Sequence, residues 1–366
     1  MTVLAVIGVL ALLIFVHELG HFMAARLQGI HVNRFSIGFG PILWKYQGPE
    51  TEYALRAVPL GGFVGFPDDD PESDIPPEDP DLLRNRPVWD RAIVISAGVI
   101  ANMIFAYLVF VLQFGSLGVP SVDSGVLIPQ VMADAPAETA GLEKGDVILS
   151  ANDQTFGRGE GVQQALKNVI QDSQDSSVRL TVLRDSQQLE LTVTPKIDPN
   201  TGAALIGVAL SPNYEIDEDG TVVFRAARNP VELFSVAARE FQDKTKLVAG
   251  GMLALFTNFA DMAGQVGSPV KIVEQGAGLA NDDIRTLFPF AAIISINLAI
   301  INILPLPALD GGQLAFLLIE AVLGKPLPMR LQESVMQTGI FLLLGLGIFL
   351  IIRDTTQLEV LQNLRQ

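Results

Sequence analysis

Four stretches of the chain lose all charge for about the length of a membrane span. Residues 2–16 carry none, and apolar character resumes after a short polar interruption, so one helix is expected from Thr2 to about Leu27. Residues 92–119, 286–309 and 334–352 are uncharged over 28, 24 and 19 positions, against the roughly 20 that a spanning helix requires. The pattern predicts four transmembrane helices, within 1–30, 84–119, 285–325 and 330–353. Between the first two, "FSIGFGPILWKY" and "TEYALRAVPLGGFVGF" alternate apolar and polar positions around the turn sequence "QGPE", the rhythm of a β-hairpin or small sheet over 31–66. It is too apolar for water, so it is expected to dip into the membrane with its backbone shielded by protein; an ordinary cytoplasmic hairpin is the alternative. A third rhythm, short strands such as "GVLIPQVMA", "SVRLTVLR" and "LELTVTP" around a helical stretch near 160–170, marks a separate domain at 120–210.

Composition supports the membrane reading, with 49% hydrophobic residues and a mean hydropathy of +0.39. No basic region precedes the first apolar run and no cleavage site follows it, so the first span reads as retained. Arg26, Arg34, Lys45 and Arg56 follow that span, Arg84, Arg86 and Arg91 precede the second, and Lys325 and Arg330 lie between the last two. Basic loops stay on the cytoplasmic side, which places both termini and the 120–283 region outside. The 211–284 segment is then an extracytoplasmic linker with an interfacial amphipathic helix near 246–262, and 354–366 a short tail. The net charge of -16 comes partly from "DDDPESDIPPEDPD", residues 68–81, so 67–83 is expected to be a solvated linker without order of its own. That balance excludes nucleic acid as a partner.

The interruption in the first span is "HELGH". On a helix His17 and His21 stand one turn apart on one face, where one metal ion can reach both, and Glu18 stands beside the first, within reach of water at that ion. Two buried histidines that merely hydrogen-bond neighbouring helices are the alternative, made less attractive by the roughly 2.5–3.5 kcal/mol that a charged side chain costs at the centre of a span. His31 lies beyond the span and reads as an ordinary interface residue. The chain has no cysteine, so a third ligand must be histidine or carboxylate. The candidate is Asp310 in "NILPLPALDGGQ", which follows 24 uncharged residues. Pro305 and Pro307 should break the third span there, and Gly311 and Gly312 permit close approach. Counted from the outer face at ~1.5 Å per residue, His17 lies ~21 Å deep and Leu304 ~27 Å deep, both in the inner half of a ~30 Å core.

These fragments, with "GVIAN" in the second span, "GSPVKIV" before the third and "APAETAGLEKGDVILSANDQ" in a domain that resembles PDZ, are together similar to the site-2 protease family of intramembrane metalloproteases, bacterial regulator-of-sigma-E type. The resemblance implies an α-helical polytopic membrane protein with four transmembrane helices, a membrane-dipping β-sheet and one extracytoplasmic PDZ domain. It implies zinc held by His17, His21 and Asp310, Glu18 as general base, and Asn302 as a residue that holds substrate backbone; capping the broken helix is the other reading of Asn302. The implied setting is the bacterial plasma membrane. The implied partners are lipid, single-span membrane protein substrates such as anti-sigma factors already trimmed by another protease, and a peptide ligand at the PDZ groove. The outer region fits one PDZ domain where the best-known pattern has two. Gly98 and Asn102 read as a close-packing pair against the first span. Two further classes compete: a non-catalytic PDZ adaptor, for which Glu18 would be dispensable, and a metal transporter, which needs further ligands along a route that spans two and four do not offer.

Overall fold

The first apolar stretch folds as α1 (Thr2–Leu27), unbroken through its polar insert. After a turn at Gly29 the chain forms a hairpin of β1 (Arg34–Gln47) and β2 (Glu52–Gly65). Both strands bend so sharply that they pair twice. Residues 34–37 lie between 62–65 and 52–55, and 52–56 pair in turn with 42–47. Two strands thus make four rungs in the order 62–65, 34–37, 52–56, 42–47. Gly38, Gly40 and Gly61 take positive φ in and around the bends, a conformation open to glycine at little cost. Phe35 and Tyr53 bind the sheet to α1: Phe35 meets Phe15 and Phe22 edge-on with centroids 6.0 and 5.2 Å apart, and Tyr53 meets Phe22 at 6.0 Å. Edge-to-face rings are a favourable aromatic geometry, and they press the 62–65 rung toward the helix.

The acidic stretch departs from expectation. Asp68 accepts from the backbone N–H groups of Leu83 and Arg84, Asp70 from Asn33 and Arg34, and Asp81 from Arg86. Leu82 is fully buried, and the His31 N–H donates to the Asp81 carbonyl. Its carboxylates have partners in the basic residues that composition counts only as topology signals, so the described part of 67–83 is ordered. The His31 ring also stands 3.8 Å from Asp79, which gives that histidine a carboxylate neighbour in the linker. Next comes α2 (Val88–Leu117), crossing α1 so closely that a Cβ on Gly20 would fall 2.8 Å from the Ala101 methyl and 2.5 Å from the Ala97 carbonyl. Small residues at a crossing are how membrane helices approach backbone to backbone.

The computed structural model describes residues 2–70, 73–158, 161–174, 176–197, 203–217, 222–258 and 267–356. They form two compact units, one made of residues up to Ser116 together with those from Asn229 onward, the other of Leu117–Arg228. The second exceeds the expected 120–210 because its ends pair: β3 (Val119–Pro120) with β12 (Phe224–Arg225), and β4 (Val122–Val131) with β11 (Val208–Tyr214). Between these come α3 (Pro136–Thr139), β5 (Val147–Ala151), β6 (Gln154–Thr155), α4 (Val162–Asp172), β7 (Val178–Arg184), β8 (Gln187–Val193), β9 (Lys196–Ile197) and β10 (Ala204–Leu205). The main sheet runs β11-β4-β5-β7-β8 with β6 on β5. Alternating inward residues Val126, Ile128, Ile148, Leu180 and Val182 pack with Phe156 and with Leu166 and Ile170, which sit one turn apart on α4. Strand period two and helix spacing i, i+4 here face one core.

The chain then returns through α5 (Pro230–Thr257), whose helix begins sixteen residues before the expected 246 and ends at Thr257, so the expected residues 259–262 lie outside the described residues. Asn229 caps it by accepting from the Glu232 N–H at 2.9 Å. A second helix, α6 (Pro269–Asp282), is capped by Ser268 and lies against α1, since a Cβ on Gly276 would meet Val6 at 3.0 Å. The third apolar stretch is broken as expected: α7 (Leu287–Ile303) stops, and α8 (Asp310–Leu323) starts at the aspartate itself. The last span is α9 (Met329–Thr356), running three residues past the expected 353. Among the described residues four helical segments, Thr2–Leu27, Val88–Leu117, Ile284–Ile303 and Arg330–Thr355, are long and apolar enough to cross a membrane.

In the second unit Asp146 is buried and receives Arg184 on both oxygens, at 2.7 and 2.8 Å, with the Glu143 N–H at 2.9 Å. Burial pushes the Asp146 carboxyl up, but the Arg184 bond and the Glu143 N–H outweigh it and hold the group below the usual carboxylate range. A carboxyl lowered in the folded state stabilises the fold above its unfolded value, near 4, and loses that contribution as pH falls through the folded value. Arg184→Met should therefore destabilise this unit by about 2–3 kcal/mol at neutral pH, read as faster hydrogen exchange of β5 and β7 amides in the full chain. The gap from wild type should shrink below about pH 4.

Candidate metal centre

The two sides of α1 are used differently. Phe15, Glu18 and Phe22, at i, i+3 and i+7, face the sheet, where the Glu18 side chain lies on Gly62: a Cβ there would fall 2.9 Å from Glu18 Cγ and 2.9 Å from the Ser36 carbonyl. His17 and His21, four apart, face α2 and the start of α8. Their rings meet edge to face with centroids 4.8 Å apart. α2 makes room for them at one place. A Cβ on Gly98 would fall 2.8 Å from His17 Cε1 and 2.7 Å from His21 Cε1, and nearer still to His21 Nε2.

Asp310 arrives across nearly three hundred residues. Its Oδ2 lies 3.2 Å from His17 Nε2 and 3.3 Å from His21 Nε2, and the two Nε2 atoms are 3.3 Å apart. The three atoms form an almost equilateral triangle. His21 Nδ1 is 2.8 Å from the Val94 carbonyl; a carbonyl only accepts, so Nδ1 carries the hydrogen and neutral His21 presents a lone pair at Nε2. Asp310 Oδ2 is buried with no hydrogen-bond donor among the described residues. Lone pairs converging at this distance repel one another unless a cation sits among them. Ligands around a tetrahedral ion at the ~2.0–2.1 Å zinc–nitrogen distance stand about 3.3 Å apart, so these three fit zinc as they stand, and a fourth position is left for water or substrate.

The frame around them is held by polar contacts between helices. Asn102 Nδ2 lies 3.0 Å from His17 Nδ1 in a fully buried position, and Ser295 Oγ of α7 donates to the Asn102 main-chain carbonyl at 2.8 Å. Arg91 of α2 pairs with Glu320 of α8, tying the far end of the broken span to the start of the second. That contact directs "LAFLLIEAVLG" back along α2 toward the end that carries the basic residues. Asn302 is half-buried in the last turn of α7, eight residues before Asp310. That helix is closed by the Leu304 N–H bonding to the Ile301 carbonyl at 3.1 Å, so its end is satisfied by backbone.

The sequence singles out His17, Glu18, His21 and Asp310, and the structure brings the three candidate ligand atoms to one point with Glu18 on the adjoining face. Gly98 and Asn102, which the sequence presents as a packing pair, both stand against the imidazoles. The one available signal was a polar residue amid a long apolar span, costly unless it has a partner there.

The profile of peptidase family M50 matches residues 5–346. The chain belongs to that family. It is accordingly a multi-pass membrane metalloendopeptidase. Among its relatives, a Nostoc protein provisionally named zinc metalloprotease all3971 is 59% identical over 98% of this chain and 97% of its own length. The Arabidopsis thaliana membrane metalloprotease ARASP, chloroplastic, is 45% identical over 99% of this chain and 80% of its own. A solved PDZ domain from Listeria monocytogenes matches 24% of this chain and 86% of that domain at 23% identity, with a TM-score of 0.21, too low to carry weight.

Gly98→Ala should drive a methyl into both rings and lower the metal bound per chain, measured by elemental analysis of purified protein. Gly115→Ala on the same helix, whose Cβ would find Leu233 at an ordinary 3.8 Å, should leave it unchanged.

Proposed function

We propose that this protein is a zinc-dependent endopeptidase that hydrolyses a peptide bond within the transmembrane segment of single-span membrane proteins. The observation that carries this reading is the meeting of His17, His21 and Asp310 within 3.3 Å of one another, at the ends of the uncharged stretches 2–16 and 286–309. A ligand set placed there serves a substrate that is itself within lipid. His17, His21 and Asp310 would hold the ion, which supplies Lewis-acid polarisation of the scissile carbonyl and a more acidic water. Glu18 takes the proton from that water and returns it to the leaving amine. Its stem lies against Gly62 of the sheet, which holds the base on that side of α1.

A substrate helix hides its peptide bonds within its own ladder and must unwind before it can be cut. The bent sheet lies beside Glu18 and ends in the 62–65 rung, an edge to which an unwound segment can add as a strand. We assign Asn302 to the same task of holding substrate backbone, and the 117–228 unit, read as a PDZ-type domain, to contact with exposed chain ends outside the bilayer. Trimmed anti-sigma-factor-like proteins suit such a site, because a single span with little attached can reach it. The basic residues between spans favour a cytoplasm-facing centre in a bacterial plasma membrane, with both termini outside.

Glu18→Gln should reduce cleavage of a single-span substrate in reconstituted vesicles by about 10²–10⁴-fold while the zinc content stays at the wild-type level. Cleavage by Glu18→Gln at close to the wild-type rate would remove the proposed base.

A further inference from the structure

Neutral His17 can offer Nε2 to a metal only if its hydrogen sits on Nδ1. Nδ1 faces Asn102 and lies 3.0 Å from the atom placed as Nδ2. An amide nitrogen only donates, so in that orientation the hydrogen of His17 would be forced onto Nε2 and into the triangle with His21 and Asp310. At the same time Asn102 Oδ1 is buried without any hydrogen-bond donor among the described residues, although Asn102 has no exposed surface at all. One change removes both conflicts. The oxygen and nitrogen of a side-chain amide are assigned from their surroundings and can be exchanged. With Oδ1 toward the ring, His17 Nδ1 donates to it, Oδ1 gains its partner, and Nε2 turns its lone pair to Asp310.

We infer that Asn102 is the positioning residue for His17, its amide oxygen accepting from Nδ1–H and so fixing the tautomer and ring plane in which Nε2 binds metal. The inference deepens the proposed zinc site and rests on it. The two histidines are then oriented alike: His21 donates through Nδ1 to the Val94 carbonyl at 2.8 Å, and His17 donates to a side-chain carbonyl eight residues, about two turns, further along α2. Asn102 is itself held, because Ser295 Oγ bonds its main-chain carbonyl at 2.8 Å from α7, a buried contact. The residue thus joins three helices at the ligand it orients. Partners that accept from a ligating histidine typically change metal affinity about 10–100-fold when removed.

The experiment measures zinc affinity of the detergent-solubilised full chain by competition with a chromophoric chelator, with zinc alone as the probe. Wild type is compared with His17→Ala, Asn102→Leu and Asn102→Asp, and thermal melting checks folding. Asn102→Leu, close in size and unable to accept, should bind zinc about 10–100-fold more weakly. Asn102→Asp, which can only accept in its ionised form, should keep affinity within a few-fold of wild type and restore cleavage relative to Asn102→Leu. Two results overturn the inference: unchanged affinity in Asn102→Leu, or an Asn102→Asp variant as weak as Asn102→Leu, which would mean that the amide donates. If Asn102→Leu fails to fold, Asn102→Asp is judged against wild type, and zinc binding about 10-fold or more weaker than wild type overturns the inference. Either of those failures leaves the metal site standing so long as His17→Ala abolishes binding; wild type that binds zinc no better than His17→Ala would overturn the site and this inference together.

Discussion

Polar atoms gathered in a lipid-excluded interior must each find a partner, and that requirement organises the membrane unit. Water is absent as a fallback, so an orphan donor or acceptor there costs on the order of kcal/mol. The three candidate ligand atoms of His17, His21 and Asp310 face one another, while the other ring nitrogens have partners: His21 Nδ1 in Val94 and His17 Nδ1 in Asn102. A cation would complete the set. The packing follows from this need, since Gly20 and Gly98 bring α2 close enough to α1 for its backbone and amide to serve the imidazoles. With larger residues at those two positions the helices would stand apart and the ring nitrogens would lose their partners.

The same constraint separates what the sequence reveals from what it hides. His17, Glu18 and His21 are legible because helix geometry converts a spacing of four into a shared face, and Asp310 because a carboxylate between long uncharged stretches stands out. The break before α8 is legible from two prolines. Asn102 is not, because its role depends on meeting a residue 85 positions away, and nothing local distinguishes a polar anchor from a packing residue. The sheet is legible as a hairpin, but its double pairing depends on where Gly38, Gly40 and Gly61 bend it. The acidic segment misleads for a related reason: composition counts its charges without counting the arginines that fold shut upon them.

Glu18 illustrates how one helix can carry both the proposed ligands and the proposed base without the two interfering. Successive residues on a helix are turned by about 100°, so the neighbour of His17 points to a different side. The aromatic contacts of Phe15 and Phe22 with the sheet occupy that side and bring Gly62 beneath the Glu18 stem. A side chain at Gly62 would displace the base. The glycine-rich run in β2 therefore has a chemical reason as well as a conformational one.

The break that delivers Asp310 is where irregular backbone meets the least tolerant solvent, and its hydrogen bonds close. Leu304 N–H bonds the Ile301 carbonyl, Leu306 N–H the Leu304 carbonyl and Leu309 N–H the Leu306 carbonyl; Ala308 N–H reaches Met336 Sδ at 3.4 Å. The two other positions are Pro305 and Pro307, which have no N–H to satisfy. Every backbone donor from 304 to 309 is thus accounted for, as buried backbone requires. The prolines do more than stop α7, because they remove the two donors that an open turn could not have placed. The cost is carried at Ala308, whose φ of 72° is unusual for a residue with a side chain, and in the need for glycine at 311, 312 and 339, where a Cβ would strike the turn. What the turn secures is a carboxylate on the first residue of a new helix, where the positive end of the backbone dipoles favours negative charge. The carboxylate thereby reaches the two imidazoles, at 3.2 and 3.3 Å, from the first turn of a helix.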